Sequence, residues 1–415
     1  MTKDTTSLSN PKKLALGVQF MFVAFGATVL VPLLTGIDPA VALFTAGIGT
    51  LLFHLITKGN VPVFLGSSFA FIAPIQKGAE LYGMSGAMAG IIAVGAVYTV
   101  MSAVIRFGGS KIIEKLFPPV VVGPVIMVIG LGLAPVGVGM AKDNWVMALV
   151  ALFSAMISVL YGKGFLKLVP VFIGIVVGFL YGLVTGNVDF TPVVEAAWFQ
   201  LPKFVMPTFD LNAIWFMLPV AVAPLIEHIG DMHAISAVAK KDFVKKPGLH
   251  RTLLGDGIAT MFAGFMGGPP NTTYSEVTGA ISLTKMTNPA ILRISAVTAI
   301  LFSLCGKLSA FLKVIPTPVL GGIMLLLFQM IATVGIKTLA DKKGLMSSTR
   351  NQIIVGMILT AGIGGAVLEI GETHLSGIGL ASIVGIVLNL ILPEPREEKE
   401  ERMKEEKKEE AAVIA

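Results

Sequence analysis

The chain has 415 residues, of which 54% are hydrophobic and only 13% charged, and its mean hydropathy is +0.84. Soluble globular proteins carry roughly a quarter charged residues, so the composition excludes a soluble enzyme or binding module and predicts an all-α polytopic protein embedded in a lipid bilayer. A single cysteine, Cys305, excludes intrachain disulfides, Cys-based zinc sites and iron-sulfur clusters, and the net charge of +6 has a topological cause rather than a nucleic-acid-binding one.

A spanning helix needs about 20 apolar residues, and fourteen segments of that kind fit between Leu14 and Pro393. Residues 1–13 are a polar tail, and the run from Leu14 to Thr35 is too long for a signal-peptide core, so it reads as a retained first span. The second segment contains Gly47-Ile-Gly-Thr50 and ends near His54, which is expected at the interface. The third, Val61-Pro-Val-Phe-Leu-Gly-Ser-Ser-Phe-Ala-Phe-Ile-Ala-Pro74, is too short and too broken for an ordinary span. Its Pro, Gly and hydroxyl residues predict a short extended strand followed by a half-helix, which is tolerated at bilayer depth only against protein or a wet cavity. The fifth opens Phe117-Pro-Pro-Val-Val-Val-Gly-Pro124.

The eighth segment, Leu218 to His233, carries Glu227 and Asp231 four residues apart on one helical face, with Pro224 one turn earlier able to open the backbone. Two carboxylates so close at low dielectric titrate as a coupled unit, the behaviour of a proton carrier. The alternative for Asp231 is that the span ends early and the side chain meets water beside His233. His228, about 100° round the helix, reads as a packing histidine. Asp256, one turn inside the ninth segment in Leu254-Gly-Asp-Gly-Ile258, is either a proton relay or a fixed hydrogen-bond anchor, with the anchor favoured. The tenth segment, Gly267-Gly-Pro-Pro-Asn-Thr-Thr-Tyr-Ser-Glu276, is broken like the third and again predicts a strand and a half-helix. An ionisable group such as Glu276 at that depth is a functional-site candidate by default. Glu369, Glu372 and His374 fall in the last external loop, and residues 394–415 alternate Glu with Lys and Arg as a solvated helix or disordered tail.

Related strings recur seven segments apart: Gly47-Ile-Gly-Thr50 with Gly257-Ile-Ala-Thr260, Phe117-Pro-Pro with Ile315-Pro-Thr-Pro318, and the broken third with the broken tenth. Seven is odd, so the halves are inverted, a secondary-transporter architecture whose paired broken segments mark the binding site. Free backbone amides near Phe69 and Ser275 then sit at half-helix N-termini and can donate to ligand oxygens. Of 31 Lys and Arg, 17 fall in loops on one side, among them Lys111 and Lys343, 5 on the other and 9 in the tails, which places both termini in the cytoplasm. An intramembrane enzyme is the rival class, but Leu253 stands where the first glycine of Gly-x-Gly-Asp is required, and His-Glu-x-x-His and Gly-x-Ser-x-Gly are absent. A channel pore usually needs rings of carbonyls or charges from several chains.

Taken together, Phe25-Gly-Ala-Thr-Val-Leu-Val-Pro32, Gly66-Ser-Ser-Phe-Ala-Phe71, Glu227-His-x-Gly230, Pro247-Gly-Leu-His-Arg251 and Pro270-Asn-Thr-Thr-Tyr274 running into Glu276-x-x-Gly279 resemble the nucleobase-ascorbate transporter family, most closely its bacterial uracil permease branch. The resemblance implies a seven-plus-seven inverted repeat. A core domain takes residues 14–106 and 187–306, a gate domain 107–186 and 307–393, and the gate spans opening at Pro118-Pro119 and Pro316-x-Pro318 carry homodimer contacts. It also implies proton-coupled import of uracil across a prokaryotic cytoplasmic membrane, without a cofactor other than the coupling proton. A xanthine or purine permease is the alternative. Phe69 would lie against the ring, Glu227 and Glu276 would accept its N–H protons, and the main chain at Phe69 and Ser275 would meet its carbonyl oxygens. Tyr274 would line the pocket, Ser67, Ser68, Asn271 and Thr273 would support it, and Glu227, Asp231 and Asp256 would couple the proton. Three positions depart from the uracil pattern: Asp231 where His is frequent, Ser275 for Gly, and Val277 where Asn is usual.

Overall fold

A computed structural model describes residues 10–109, 115–342, 344–370 and 373–393. Lys111, Lys343, Glu372, residues 1–9, the tail 394–415 and the side chain of His374 lie outside the described residues. The protein is mostly helical, because a chain this apolar has to satisfy its main-chain polar groups within its own segments when lipid surrounds it. Six helices among the described residues are long and apolar enough to cross a membrane, and four more of 15 to 17 residues are apolar but shorter.

Helix α1 spans Asn10–Thr35 and α2 spans Pro39–Ile56. Asp38 caps α2 by accepting a hydrogen bond from the Ala40 amide at 2.9 Å, and Pro39 supplies a first turn that needs no N–H. Strand β1, Leu65–Ser67, leads through a short 3-10 turn at Phe69–Phe71 into α3, Ile72–Gly108. Gly83 breaks α3 at φ +72°, a left-handed value that suits glycine, and so divides a half-helix from a full span. There follow α4 (Pro119–Ala141), α5 (Trp145–Tyr161), α6 (Pro170–Val184) and the short α7 (Thr191–Glu195). Helix α8 (Leu211–Met217) and a 3-10 stretch at Leu218–Ala221 lead into α9 (Val222–Ala239), which is followed by α10 (Leu249–Phe265). Strand β2 (Asn271–Thr273) runs into α11 (Ser275–Thr284). The chain ends with α12 (Pro289–Ser303), α13 (Gly306–Lys313), α14 (Thr317–Ala340), α15 (Thr349–Ile363), the hairpin β3 (Val367–Ile370) with β4 (Thr373–Ser376), and α16 (Gly377–Ile391). That hairpin, which carries Glu369, has no counterpart in the sequence reading.

The two strands form one antiparallel ribbon, with Leu65 opposite Thr273, Gly66 opposite Thr272 and Ser67 opposite Asn271. Each strand is held by a threonine from the helix before it. Thr50 Oγ1 accepts from the Leu65 amide at 2.9 Å, and Thr260 Oγ1 donates to the Asn271 carbonyl at 3.0 Å. These are the closing residues of the two related Gly-containing strings. The helices carrying them pack correspondingly, α2 on α12 and α10 on α3. A second group pairs α4 with α14, α5 with α6 and α15 with α16. A Cβ on Gly335 would strike the Gly123 carbonyl, and one on Gly123 would press on that of Gly335, so small residues set this close crossing.

His54, near the end of α2, is buried, with Nε2 2.9 Å from the Val63 carbonyl, and it ties the approach to β1 onto α2.

Candidate functional site

The ribbon places two half-helix N-termini beside each other in sequence-distant parts of the chain, at Phe69 and at Ser275. The first N–H groups of each have no partner within their own helix, so they form a donor surface for anionic or carbonyl oxygens. Beside them lies α9. Asp231 is buried and accepts from Thr273 Oγ1 at 2.8 Å and from Ser275 Oγ at 2.6 Å, which fastens α9 to β2 and to the start of α11. It therefore does not stand in water at a helix end, whereas His233, half a turn further, is exposed.

A cavity of about 2440 Å³ runs from this junction to one end of the molecule. Glu227, Asp231, Thr272, Ser275 and Glu276 border its deep part, with Phe69 and, from α14, Leu327 and Ile331. Its mouth carries Lys115, Lys167, Lys337, Lys342 and Arg350. At the opposite end, Lys313 Nζ lies 3.0 Å from Asp38 Oδ2.

The polar residues around the ribbon divide sharply by what they already hold. Tyr274 donates to the Ser67 carbonyl at 3.0 Å, accepts from Thr28 Oγ1 at 3.4 Å, and presses its ring where a side chain on Gly66 would stand. Its side chain is thus a brace for β1. Ser67 Oγ donates to the Thr28 carbonyl at 2.9 Å, and Asn271 Nδ2 to the Thr45 and Ala259 carbonyls at 3.1 and 3.3 Å. Ser68 Oγ is buried without a partner, while its amide donates to the Pro270 carbonyl at 2.9 Å. Among the described residues, Glu227 makes no side-chain hydrogen bond or ion pair, and Glu276 meets only its own main-chain N–H. Both are half-buried on the cavity wall. Apart from the main-chain N–H of Glu276 itself, protein leaves these two carboxylates without partners among the described residues; buried charges are otherwise paired, so both are candidate acceptors for a ligand. Among the described residues no group of three or more His, Cys, Asp or Glu is arranged to hold a metal ion.

Three residues have contacts or placements that the sequence reading did not give. His228 is buried, and its Nδ1 lies 2.7 Å from Asp256 Oδ2, a partner on α10 that the sequence reading did not name. Val277 is buried on the packed side of α11 and does not border the cavity. Phe328 of α14, which the sequence did not single out, meets Phe69 edge to face, with ring centroids 6.0 Å apart and planes at 89°. An apolar aromatic within an apolar span carries no local signal, and only the fold brings it to Phe69.

Residues 11–371 match the xanthine/uracil permease profile, described as a permease family. The chain belongs to the nucleobase-ascorbate transporter family. It is 49% identical over 401 residues to a probable uracil permease of Haemophilus influenzae, covering 94% of this chain and 97% of that one. The uracil permease of Bacillus caldolyticus is 46% identical over 396 residues, 92% of each chain, and that of Escherichia coli K12 is 39% identical over 387 residues, 91% and 90%. In fold it is similar to murine Solute Carrier 26 family member A9, an anion transporter in the inward-facing state, with a TM-score of 0.66 at 12% identity over 94% of this chain and 69% of that one. The transmembrane domain of the cyanobacterial bicarbonate transporter BicA gives 0.58 at 14% identity, over 94% and 98%. Membership of a permease family makes the chain an integral membrane transporter rather than an enzyme.

Proposed function

We propose that the protein is a proton-coupled uracil permease importing its substrate across the cytoplasmic membrane of a prokaryote. The observation that carries this reading is the pair Glu227 and Glu276, which among the described residues hold no side-chain partner on the cavity wall beside two half-helix N-termini. Uracil offers two N–H donors and two carbonyl acceptors, and bonds from N–H to an ionised carboxylate are the stronger kind. Free amides at Phe69 and Ser275 complement the carbonyls, and the Phe69 ring offers an apolar face. Uracil permeases among the close relatives support the substrate. The departure at Val277 weighs little against it, because that side chain faces away from the cavity.

The fold is read as fourteen segments in a seven-plus-seven inverted repeat, with both termini cytoplasmic and the lysine-rich cavity mouth facing the cytoplasm. The group around α1–α3 and α8–α12 is the core that carries the substrate, and α4–α6 with α14–α16 is the gate, which also supplies a homodimer contact. Asp231 is the group that couples the proton. Its two bonds to Thr273 and Ser275 join any change in its charge to the strand and half-helix that bear Glu276. The test is competition for binding to the purified protein by uracil, xanthine, guanine and thymine. Uracil is expected to compete best, and tight xanthine binding without uracil binding overturns the substrate.

A further inference from the structure

His228 and Asp256 take no part in the ligand-facing wall, yet they make the buried ionisable contact closest in sequence to it. His228 is wholly buried on α9, and Nδ1 stands 2.7 Å from Asp256 Oδ2 on α10, off the axis of a linear N–H bond. Its other nitrogen, Nε2, lies 3.0 Å from Thr252 Oγ1, and that hydroxyl spends its single proton on the Leu249 carbonyl at 3.0 Å. Nε2 must then be the donor to Thr252, because a hydroxyl has one proton to give. Two bare lone-pair atoms do not stand 2.7 Å apart in a dry interior, so a second proton lies at the Nδ1–Oδ2 contact. The pair is net neutral whether that proton sits on the ring or on the carboxyl. Facing it are Tyr98 of α3, buried with its hydroxyl unpartnered, and the carboxylates of Glu227 and Asp231 on α9 itself.

Helix α10 is a rigid support, because Gly257 meets Gly95, Tyr98 and Thr99 of α3 at close range. Helix α9 starts after a 3-10 stretch with Pro224 in its first turn, and Asp231 fastens it to β2 and α11 on the face that also bears Glu227. Successive side chains on a helix stand about 100° apart, so pinning His228 to α10 directs Glu227 to the adjoining face, which is the cavity wall. We propose that His228 and Asp256 are a positioning pair that sets the rotation of α9 and aims Glu227 at the substrate, and that they keep one proton between them throughout transport instead of relaying it. The inference rests on the uracil-binding reading above.

Two double variants of the full chain test it, through uracil affinity, thermal unfolding and the pH profile of uptake. In His228→Leu/Asp256→Leu both partners go together, so no buried charge is orphaned and the protein is expected to fold. Its uracil Kd should rise about tenfold, since apolar packing does not specify rotation. In His228→Gln/Asp256→Asn the contact persists without the proton, and affinity should stay within about threefold of the parent with an unchanged pH profile. Parental affinity in the leucine pair, or a flattened pH profile in a folded amide pair, overturns the proposal. Should the leucine pair not fold, the amide pair decides: parental affinity and profile support the pin, and a tenfold loss overturns it. A parent protein that binds no uracil overturns the substrate reading instead.

Discussion

At the scale of single residues, side chains at the ribbon differ in whether protein already occupies them, and that difference sorts their roles. Glu276→Gln replaces a carboxylate on the cavity wall with an amide and should weaken uracil binding at least tenfold, about 1.4 kcal/mol. Isothermal titration of the purified variant checks this. Tyr274→Phe should behave oppositely: its hydroxyl serves Ser67 and Thr28, so thermal unfolding should reveal a loss of about 1 kcal/mol while affinity changes little. The carboxylates were legible in the sequence because charge is conspicuous in an apolar chain. The division of labour was not, because Tyr274, Asn271 and Asp231 find their partners in segments far away along the chain, at Ser67, Thr45 and Thr273. His228 is the sharpest case, since neither its neighbours nor its spacing announces Asp256.

At the scale of elements, a strand of three residues has almost no stability of its own, and side chains on the adjoining helices supply what the ladder lacks. Thr50 bonds both the amide and, at 3.3 Å, the carbonyl of Leu65, which is buried. Thr50→Val keeps the shape and strands the Leu65 amide, a penalty of about 1–3 kcal/mol. Thermal unfolding should fall accordingly, and uracil affinity should fall with it as β1 loosens. Thr260→Val is the matching test on β2 and should act in the same direction. The broken segments were readable as strand plus half-helix from their Pro, Gly and hydroxyl content. The β3–β4 hairpin was not, because Val367-Leu-Glu-Ile370 lacks the strict apolar-polar alternation that marks a half-buried strand.

At the scale of the whole molecule, the cavity reaches the strand ribbon from one end while Lys313 and Asp38 stand together at the other. An exposed ion pair contributes little to stability, about 0–1 kcal/mol, yet this one joins α13 to the cap of α2. Lys313→Ala should leave thermal stability within that range and raise the reactivity of cysteines introduced at the sealed end. Replacing Cys305, the single native cysteine, first makes that labelling specific. The paired broken segments are the part of the overall plan that the strings recurring seven segments apart made legible, and they meet as antiparallel strands. That the cavity opens at the lysine-rich end was beyond the sequence, because it depends on contacts between segments far apart in the chain. The claim on which the rest depends is uracil transport driven by protons, and it is tested most directly in liposomes containing only this protein. Radiolabelled uracil should accumulate above equilibrium when the face bearing Asp38 and Lys313 is acidified, and accumulation should stop when the gradient is dissipated. Equal uptake with and without the gradient, or xanthine uptake without uracil uptake, would contradict the account.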